Sequence, residues 1–380
     1  MSEPASDTGE RRSRLLGVKL RALIAEHRGS EVSAEPQPFP SGAALLADRE
    51  AWVLIEGPAA RSLGGALAWA VRRDAERLHV VADSDTGLLA RRAARFAFPI
   101  QIWFAEDRIL LPAPAAPLEV PPEADPEHLE LAALIEAAGA TPNVEHGVVF
   151  GEVRGLEVCR VVDRPTVGHI AEVADHPTPA SAAADPGVLL EVGVGDNDRE
   201  AFQLLHGEIP TVEALRSVVS TVADRRTPDA PQHPLNRLAA ERFLRWRIEQ
   251  EPALGGLRSV VPAPPPVPRP NLKDPVPCVA NGVDVDGRAV TVVCSAGVDL
   301  DLAPFLADTF EMTGRDLVAV LRSRDLVPLT VDLVGLLDVP VRLAPIDDAA
   351  DRPPNGTSAR PPNGNAARPP NDTADRPPND

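Results

Sequence analysis

Five acidic side chains near the middle of the chain, Glu152, Glu157, Glu191, Asp196 and Asp198, have the types and spacing to do chemistry. Two β-type runs, 148–153 and 156–162, flank Arg154 and Gly155, and this pattern reads as a tight hairpin. In that register Val153 faces Leu156 and Glu152 faces Glu157. Carboxylates directly opposite across an antiparallel pair cost some tenths to about 1 kcal/mol unless a cation, an arginine or a shared proton relieves them. Arg160 is the nearest local partner. A third run, 188–195, adds Glu191 and leads into Asp196 and Asp198. Carboxylates converging from three strands and a loop form the oxygen set of a hard cation such as Mg²⁺, and a Mg²⁺-dependent hydrolase or nuclease would use them. The plainer alternative is a half-exposed sheet whose glutamates alternate with valines on the water side, with Asp198 capping a helix through Leu205.

Other reactive types are less well placed. Gly193, Val194 and Gly195 follow a strand, as a phosphate loop would, but Asp198 stands where a dinucleotide fingerprint has its third glycine, and a carboxylate repels phosphate. His146 falls opposite Asp163 in the hairpin register, so the two form a candidate pair, with no nucleophile beside them. Cys294 and Ser295 end a strand, yet the GxSxG elbow is absent, and Asp299 or Asp301 reads as a cap for the helix that follows. Cys159, Cys278 and Cys294 sit singly in apolar runs, which suits buried reduced thiols. In 233–250, Arg237, Glu241, Arg245 and Glu249 make a sign-alternating i, i+4 ladder, and Leu235, Leu238, Ala239, Phe243 and Trp246 make a stripe. That segment is expected to be a packed helix with a neutralised outer edge, not a nucleic-acid-binding element.

The elements that position these residues are organised by a duplication. Residues 51–56, 63–73, 78–83, 88–96 and a strand from Pro99 read as a βαβαβ unit, and so do 289–295, 302–312, 316–321, 326–337 and a strand from Val339. Residues 63–83 lie on 302–322 without a gap, matching leucines 63/302, 67/306 and 78/317. Leu78, Val80, Leu317 and Ala319 are expected in central parallel strands buried on both faces. The fold class is therefore α/β, with two parallel units flanking a middle α+β block. The boundaries read as 1–110 for an N-terminal unit with a leading helix, 111–127 for a proline-rich linker and 128–257 for the middle block. A second proline-rich linker at 258–277, a C-terminal unit at 278–346 and a tail at 347–380 complete the chain. In the tail ArgProProAsn recurs every eight residues from Arg352, a composition with no apolar face to bury that predicts disorder. Residues 164–187, rich in proline, read as a surface excursion.

Composition sets the class. The 380 residues are 44% hydrophobic and carry a net charge of −18, so the chain can build ordinary cores and opposes non-specific binding to nucleic acid. No run approaches the ~18 uninterrupted apolar residues of a spanning helix, and the first residues lack the apolar centre of a signal peptide. A cytoplasmic protein without a membrane partner is expected. Lysine occurs only at 19 and 273, and tyrosine is absent, a skew typical of a GC-rich genome.

The stretches 271–305 and 189–207 resemble a family of proteins from high-GC actinobacteria to which no activity is assigned. The order of helix 234–248, hairpin 276–280 with 289–295, helix, strand, helix and strand is remotely similar to the restriction-endonuclease-like core. That resemblance implies an acidic residue on the first hairpin strand and Glu-x-Lys on the next. Pro277, Cys278 and Val279, then Cys294, Ser295 and Ala296, stand there instead, so a degenerate core without its active site is implied. The sequence thus points to a non-catalytic binding or regulatory protein with a protein or small-molecule partner and no required cofactor. The Mg²⁺-dependent hydrolase is the first alternative. A small-ligand sensor, with a pocket near 56–60 or 295–299, is the second.

Overall fold

The computed structural model describes residues 5–163, 187–200, 211–228, 233–269, 271–272 and 274–347. The octapeptide tail and most of the 164–187 segment lie outside the described residues. The architecture is mixed α/β with three sheets.

The N-terminal unit runs α1 (Ala5–Arg28), β1 (Gln37–Phe39), β2 (Gly42–Ala47), β3 (Glu50–Ile55), α2 (Leu63–Val71), β4 (Arg77–Ala82), α3 (Thr86–Ala93), β5 (Ile100–Glu106) and β6 (Ile109–Pro112). Its six strands lie in chain order, and β3, β4 and β5 are parallel. The middle block follows with α4 (Pro126–Leu129), α5 (Ala132–Ala137), β7 (Thr141–Glu145), β8 (Val148–Val153), β9 (Leu156–Asp163), β10 (Val188–Val192) and α6 (Thr211–Arg225). Its antiparallel sheet has the order β10-β9-β8-β7. The C-terminal unit comprises α7 (Pro234–Arg237), α8 (Ala240–Gln250), β11 (Leu257–Ala263), β12 (Cys278–Asp284), β13 (Ala289–Cys294), α9 (Leu302–Thr313), β14 (Leu317–Arg322), α10 (Pro328–Gly335) and β15 (Val341–Ile346). β13, β14 and β15 are parallel.

The duplication is larger than the sequence pattern announces. Each unit opens with a helix and an antiparallel meander before its βαβαβ portion, so both read αβββαβαβ. Leu78, Val80, Leu317 and Ala319 on the inner faces of the central strands are 0–1% exposed and Val81, Val318 and Val320 on the outer faces 0–2%, as helices on both faces of a sheet require. The two repeats pack through α2, α3, α9 and α10, and one apolar core runs across both, including Ile55, Leu67, Leu89, Phe305, Leu306 and Leu333. At the seam Phe96 and Leu337 form an antiparallel bridge. Ala97 N–H donates to Leu336 O and Asp338 N–H donates to Arg95 O, both at 2.8 Å. These bonds relate the same positions of each repeat in both directions, as a two-fold interface does. Gly64 allows the close approach, because a Cβ there would lie 1.9 Å from Leu300 O. Its N–H donates to Asp301 Oδ1 at 3.0 Å, so Asp301 bonds across the seam and makes no side-chain cap to its own helix.

Two expected boundaries move. Residues 258–263, expected as the start of the linker 258–277, belong to β11, an edge strand paired with β12, the position in a sheet where Pro262 is tolerated. The segment 233–250 is not one helix, because Ala239 adopts φ 42° between α7 and α8. Nor does α8 pack chiefly as part of the middle block. Leu244 and Ile248 sink into the outer face of the C-terminal sheet with Val292, Val318 and Val320, as Leu20 and Ile24 of α1 sink into the N-terminal sheet.

Candidate functional site: a charged cleft

The middle sheet is set by two tight turns. His146 and Gly147 (φ 50° and 79°) join β7 to β8, and Arg154 and Gly155 (φ 50° and 74°) join β8 to β9. Two consecutive positive φ values give the twist that closes a two-residue hairpin. Val153 pairs with Leu156 and Glu152 with Glu157, so the opposed carboxylates are real. Val158 is an extra residue between the Glu152–Glu157 and Gly151–Cys159 pairs, and this bulge returns Arg160 to the side that carries Glu157. The other face holds Val149, Val153, Leu156, Val158 and Val161 against Ile135 of α5 and Leu215 and Val222 of α6.

The face bearing the glutamates is closed to water and lined by arginines. Glu152 and Glu157 are 3% and 2% exposed, because α8 of the C-terminal unit covers them with Arg242 and Arg245. Glu152 Oε2 accepts from Arg245 Nη2 and from Asn143 Nδ2 at 2.9 Å, and Arg242 Nη1 lies 3.3 Å from Glu152 Oε1. Arg242 Nη2 also pairs with Glu145. Glu157 takes two bonds from Arg160, at 2.8 and 3.2 Å, and one from Arg199 Nη1 at 3.0 Å. Arg199 further pairs with Asp196 and lies 3.6 Å from Glu191. Burial by itself would lower the pKa of Arg245, but Glu152 and then Glu249 and Glu145 outweigh it, so the guanidinium is held more firmly charged than usual. Arg242 shifts the same way for the same reasons. Glu249, at 2.8 Å from Arg245 Nε, is pushed up by burial.

The five sequence candidates therefore divide. Glu152, Glu157, Glu191 and Asp196 are drawn together by four arginines, and those guanidinium groups stand where a hard cation would need the oxygens to itself. Among the described residues no cluster of three or more His, Cys, Asp or Glu side chains is arranged to hold a metal ion. Asp198 does not join them. It lies within the helical turn at 196–200, and its Oδ2 accepts from Val194 N–H at 2.8 Å. The amide of the GlyValGly loop is thus occupied by the chain's own carboxylate. The strand-end loops of the repeats are filled in the same manner: Asp83 accepts from Gly57 N–H, Asp85 from Ala59 and Ala60 N–H, and Asp325 from Gly297 N–H. Loops that take a phosphate in nucleotide-binding units here hold aspartate.

Beside the ion network a cavity of about 530 Å³ opens between the middle sheet, residues 194–199, α8 and Pro268, Arg269, Asn271, Leu272 and Asp274. Val148, Phe150, Leu238 and Leu272 make its apolar wall, Glu145, Glu157, Arg160, Arg199, Arg242 and Arg269 its charged wall, and Asp196, Asn197 and Asp274 its mouth. Arg242 stacks over Phe150 with Cζ 4.8 Å from the ring centroid. The network is incompletely satisfied. Arg242 Nε and Nη1, Arg199 Nε, Arg245 Nη1 and Glu152 Oε1 are buried without a hydrogen bond within the protein, although Arg242 Nη1 faces Glu152 Oε1, Arg199 Nε faces Glu191 and Arg245 Nη1 faces Glu145 at ion-pair distance. Arg226, 0% exposed, is held apart from it, its guanidinium bound to the carbonyls of Arg154, Leu235, Leu238 and Ala239. Burial lowers its pKa to about 9.

Sequence reasoning placed Arg245 on an outer edge and gave Arg242 and Arg199 no role. The signal that points to them is the hairpin itself, since two opposed buried glutamates require cations and α8 is the arginine-rich segment. The remaining candidates fall away. His146 Nε2 lies 3.0 Å from Pro265 O, and Asp163 pairs with His128 instead, at 2.9 Å. Cys294 is fully buried opposite Cys278, and burial raises its thiol well above the ordinary range. Cys159 is pushed up to about 12, chiefly by burial. Ser295 is 1% exposed. Among the described residues no helix is long and apolar enough to cross a membrane. No family model, curated protein or solved structure matches the chain.

Proposed function

We propose that this chain is a non-catalytic binding or regulatory protein whose ligand enters the cleft between the middle sheet and α8. One observation carries the reading: a cavity large enough for a small molecule lies at a junction of two folded blocks, walled by buried guanidinium groups and apolar side chains, the setting in which ligands are commonly held. The chemistry of the walls supports binding over turnover, since the carboxylates are consumed by ion pairs and the thiols are buried away from the cavity. The resemblance to a degenerate nuclease core fits the same reading, with Cys278 and Cys294 facing each other on β12 and β13.

A thermal-shift panel of amino acids, dicarboxylates, sugar phosphates and nucleotides tests it. Wild type is compared with Asn197→Trp, which blocks the mouth from an exposed position. A ligand that binds only the native state raises stability by RT ln(1 + [L]/Kd). At least one class is expected to raise the midpoint of the wild type and not of the variant. Equal shifts in both proteins, or none in either, would remove the cleft as the binding site.

A further inference from the structure

We propose that the outer face of α1 is a docking surface for an acidic β-strand of a partner protein. The inference comes from the internal duplication. In the C-terminal repeat, Arg242 and Arg245 stand two residues before and one residue after the buried Leu244, and the middle sheet docks on them with Glu145 and Glu152. Leu20 takes in α1 the place of Leu244, and the same spacings from it give Val18 and Arg21, with Arg14 and Gly17 one turn earlier on the same face. These four residues line an open groove, about 520 Å³ in volume, between α1 and the 35–38 segment. The face of α1 that matches the docked face of α8 therefore keeps one of its two arginines as Arg21, adds Arg14 a turn before Val18, and is uncovered among the described residues.

The groove has the features of a seat. Gly17 brings the helix close to Pro36, since a Cβ there would lie 2.9 Å from the proline Cβ. Val18 is 56% exposed in it, and Arg14 and Arg21 supply the charge. Arg21 has Glu35 within 3.7 Å, but Glu35 is 82% exposed, a weak surface pair that an incoming carboxylate can exchange for its own. The groove ends at β1, the edge strand of its sheet, whose Pro36 and Pro38 flank lacks two amide donors, so side-chain contacts rather than added ladder bonds would set the affinity. Two arginines beside exposed apolar surface suit a partner of alternating carboxylate and aliphatic side chains.

The test is fluorescence anisotropy of a labelled peptide of alternating glutamate and valine, titrated with the full-length protein at low ionic strength. Binding is expected to saturate, to weaken about tenfold or more in Arg14→Glu/Arg21→Glu, to be unchanged in Asn197→Trp, and to be absent for a valine–lysine peptide. The Asn197→Trp result separates this surface from the cleft. No saturable binding of the glutamate peptide, or binding indifferent to the charge reversal, would overturn the proposal. Arginine-dependent binding to phosphatidylglycerol vesicles without binding to the peptide would replace it with a membrane surface.

Discussion

On the outer face of the N-terminal sheet, beneath α1, Trp52, His79 and Trp103 stand side by side; at the matching strand positions the C-terminal sheet carries Val292, Val318 and Ala344 beneath α8. His79 stacks on Trp52 with ring centroids 3.9 Å apart and accepts a hydrogen bond from Trp103 Nε1 at 3.0 Å. The inner faces differ far less. Val53, Leu78 and Ile102 on one side correspond to Val293, Leu317 and Leu343 on the other. Each inner face packs against helices of both repeats, which ties the two faces to similar volumes. Each outer face answers to a different neighbour. In the C-terminal repeat α8 has the middle sheet behind it and carries buried arginines; in the N-terminal repeat α1 has its outer side exposed, and the polar chemistry lies beneath the helix instead.

The largest expected effect belongs to the C-terminal side. Arg245→Ala strands Glu152 in a buried site and is expected to cost about 3–5 kcal/mol in urea unfolding. Replacing both partners, Arg245→Met with Glu152→Met, is expected to recover most of that loss, since an ion pair and an apolar pair of similar volume come out nearly even. A double variant as unstable as the single one would break the view that α8 docks through compensated charge.

Next in size is a pH effect on the N-terminal side. Burial, opposed by Glu50 and reinforced by Arg77, His27 and Arg28, lowers the pKa of His79 from 6.5 to about 4. The unfolded chain then takes up a proton that the folded one refuses, so this contribution is fully present above about pH 6.5 and is lost as pH falls toward 4. The loss amounts to about 3 kcal/mol. His79→Gln is expected to remove this part of the pH dependence in unfolding titrations between those limits. Parallel curves for variant and wild type would show that the aromatic cluster does not hold the histidine neutral.

The smallest effect sharpens the account of the hairpin. Glu157→Gln leaves Arg160 and Arg199 with a neutral partner and is expected to cost about 1–3 kcal/mol. On an open sheet face the same change would relieve repulsion and cost nothing. EDTA and millimolar Mg²⁺ are expected to leave the midpoints of both proteins unchanged. A Mg²⁺-induced rise in the wild type, absent from the variant, would restore the cation reading.

The sequence by itself determined what local patterning controls. The continuous apolar runs and period-3.6 stripes of 51–106 and 289–346 revealed both βαβαβ units nearly element by element, because strands buried on both faces and helices with one apolar stripe leave a direct imprint. Arg154–Gly155 fixed the hairpin, and with it the pairing of Glu152 and Glu157, since a two-residue turn leaves one register. Only the tertiary structure decided what those carboxylates meet. Arg160, three residues from Glu157, was legible as a partner, but the other cations come from Arg199 and from α8, 42 to 93 residues away along the chain, and neither spacing nor composition says which helix will lie across a given sheet. The same limit hid the full extent of the duplication and moved α8 from the middle block to the C-terminal repeat. A helix shows in its sequence that it has an apolar side, but the surface that side finds is settled by the packing of the whole chain.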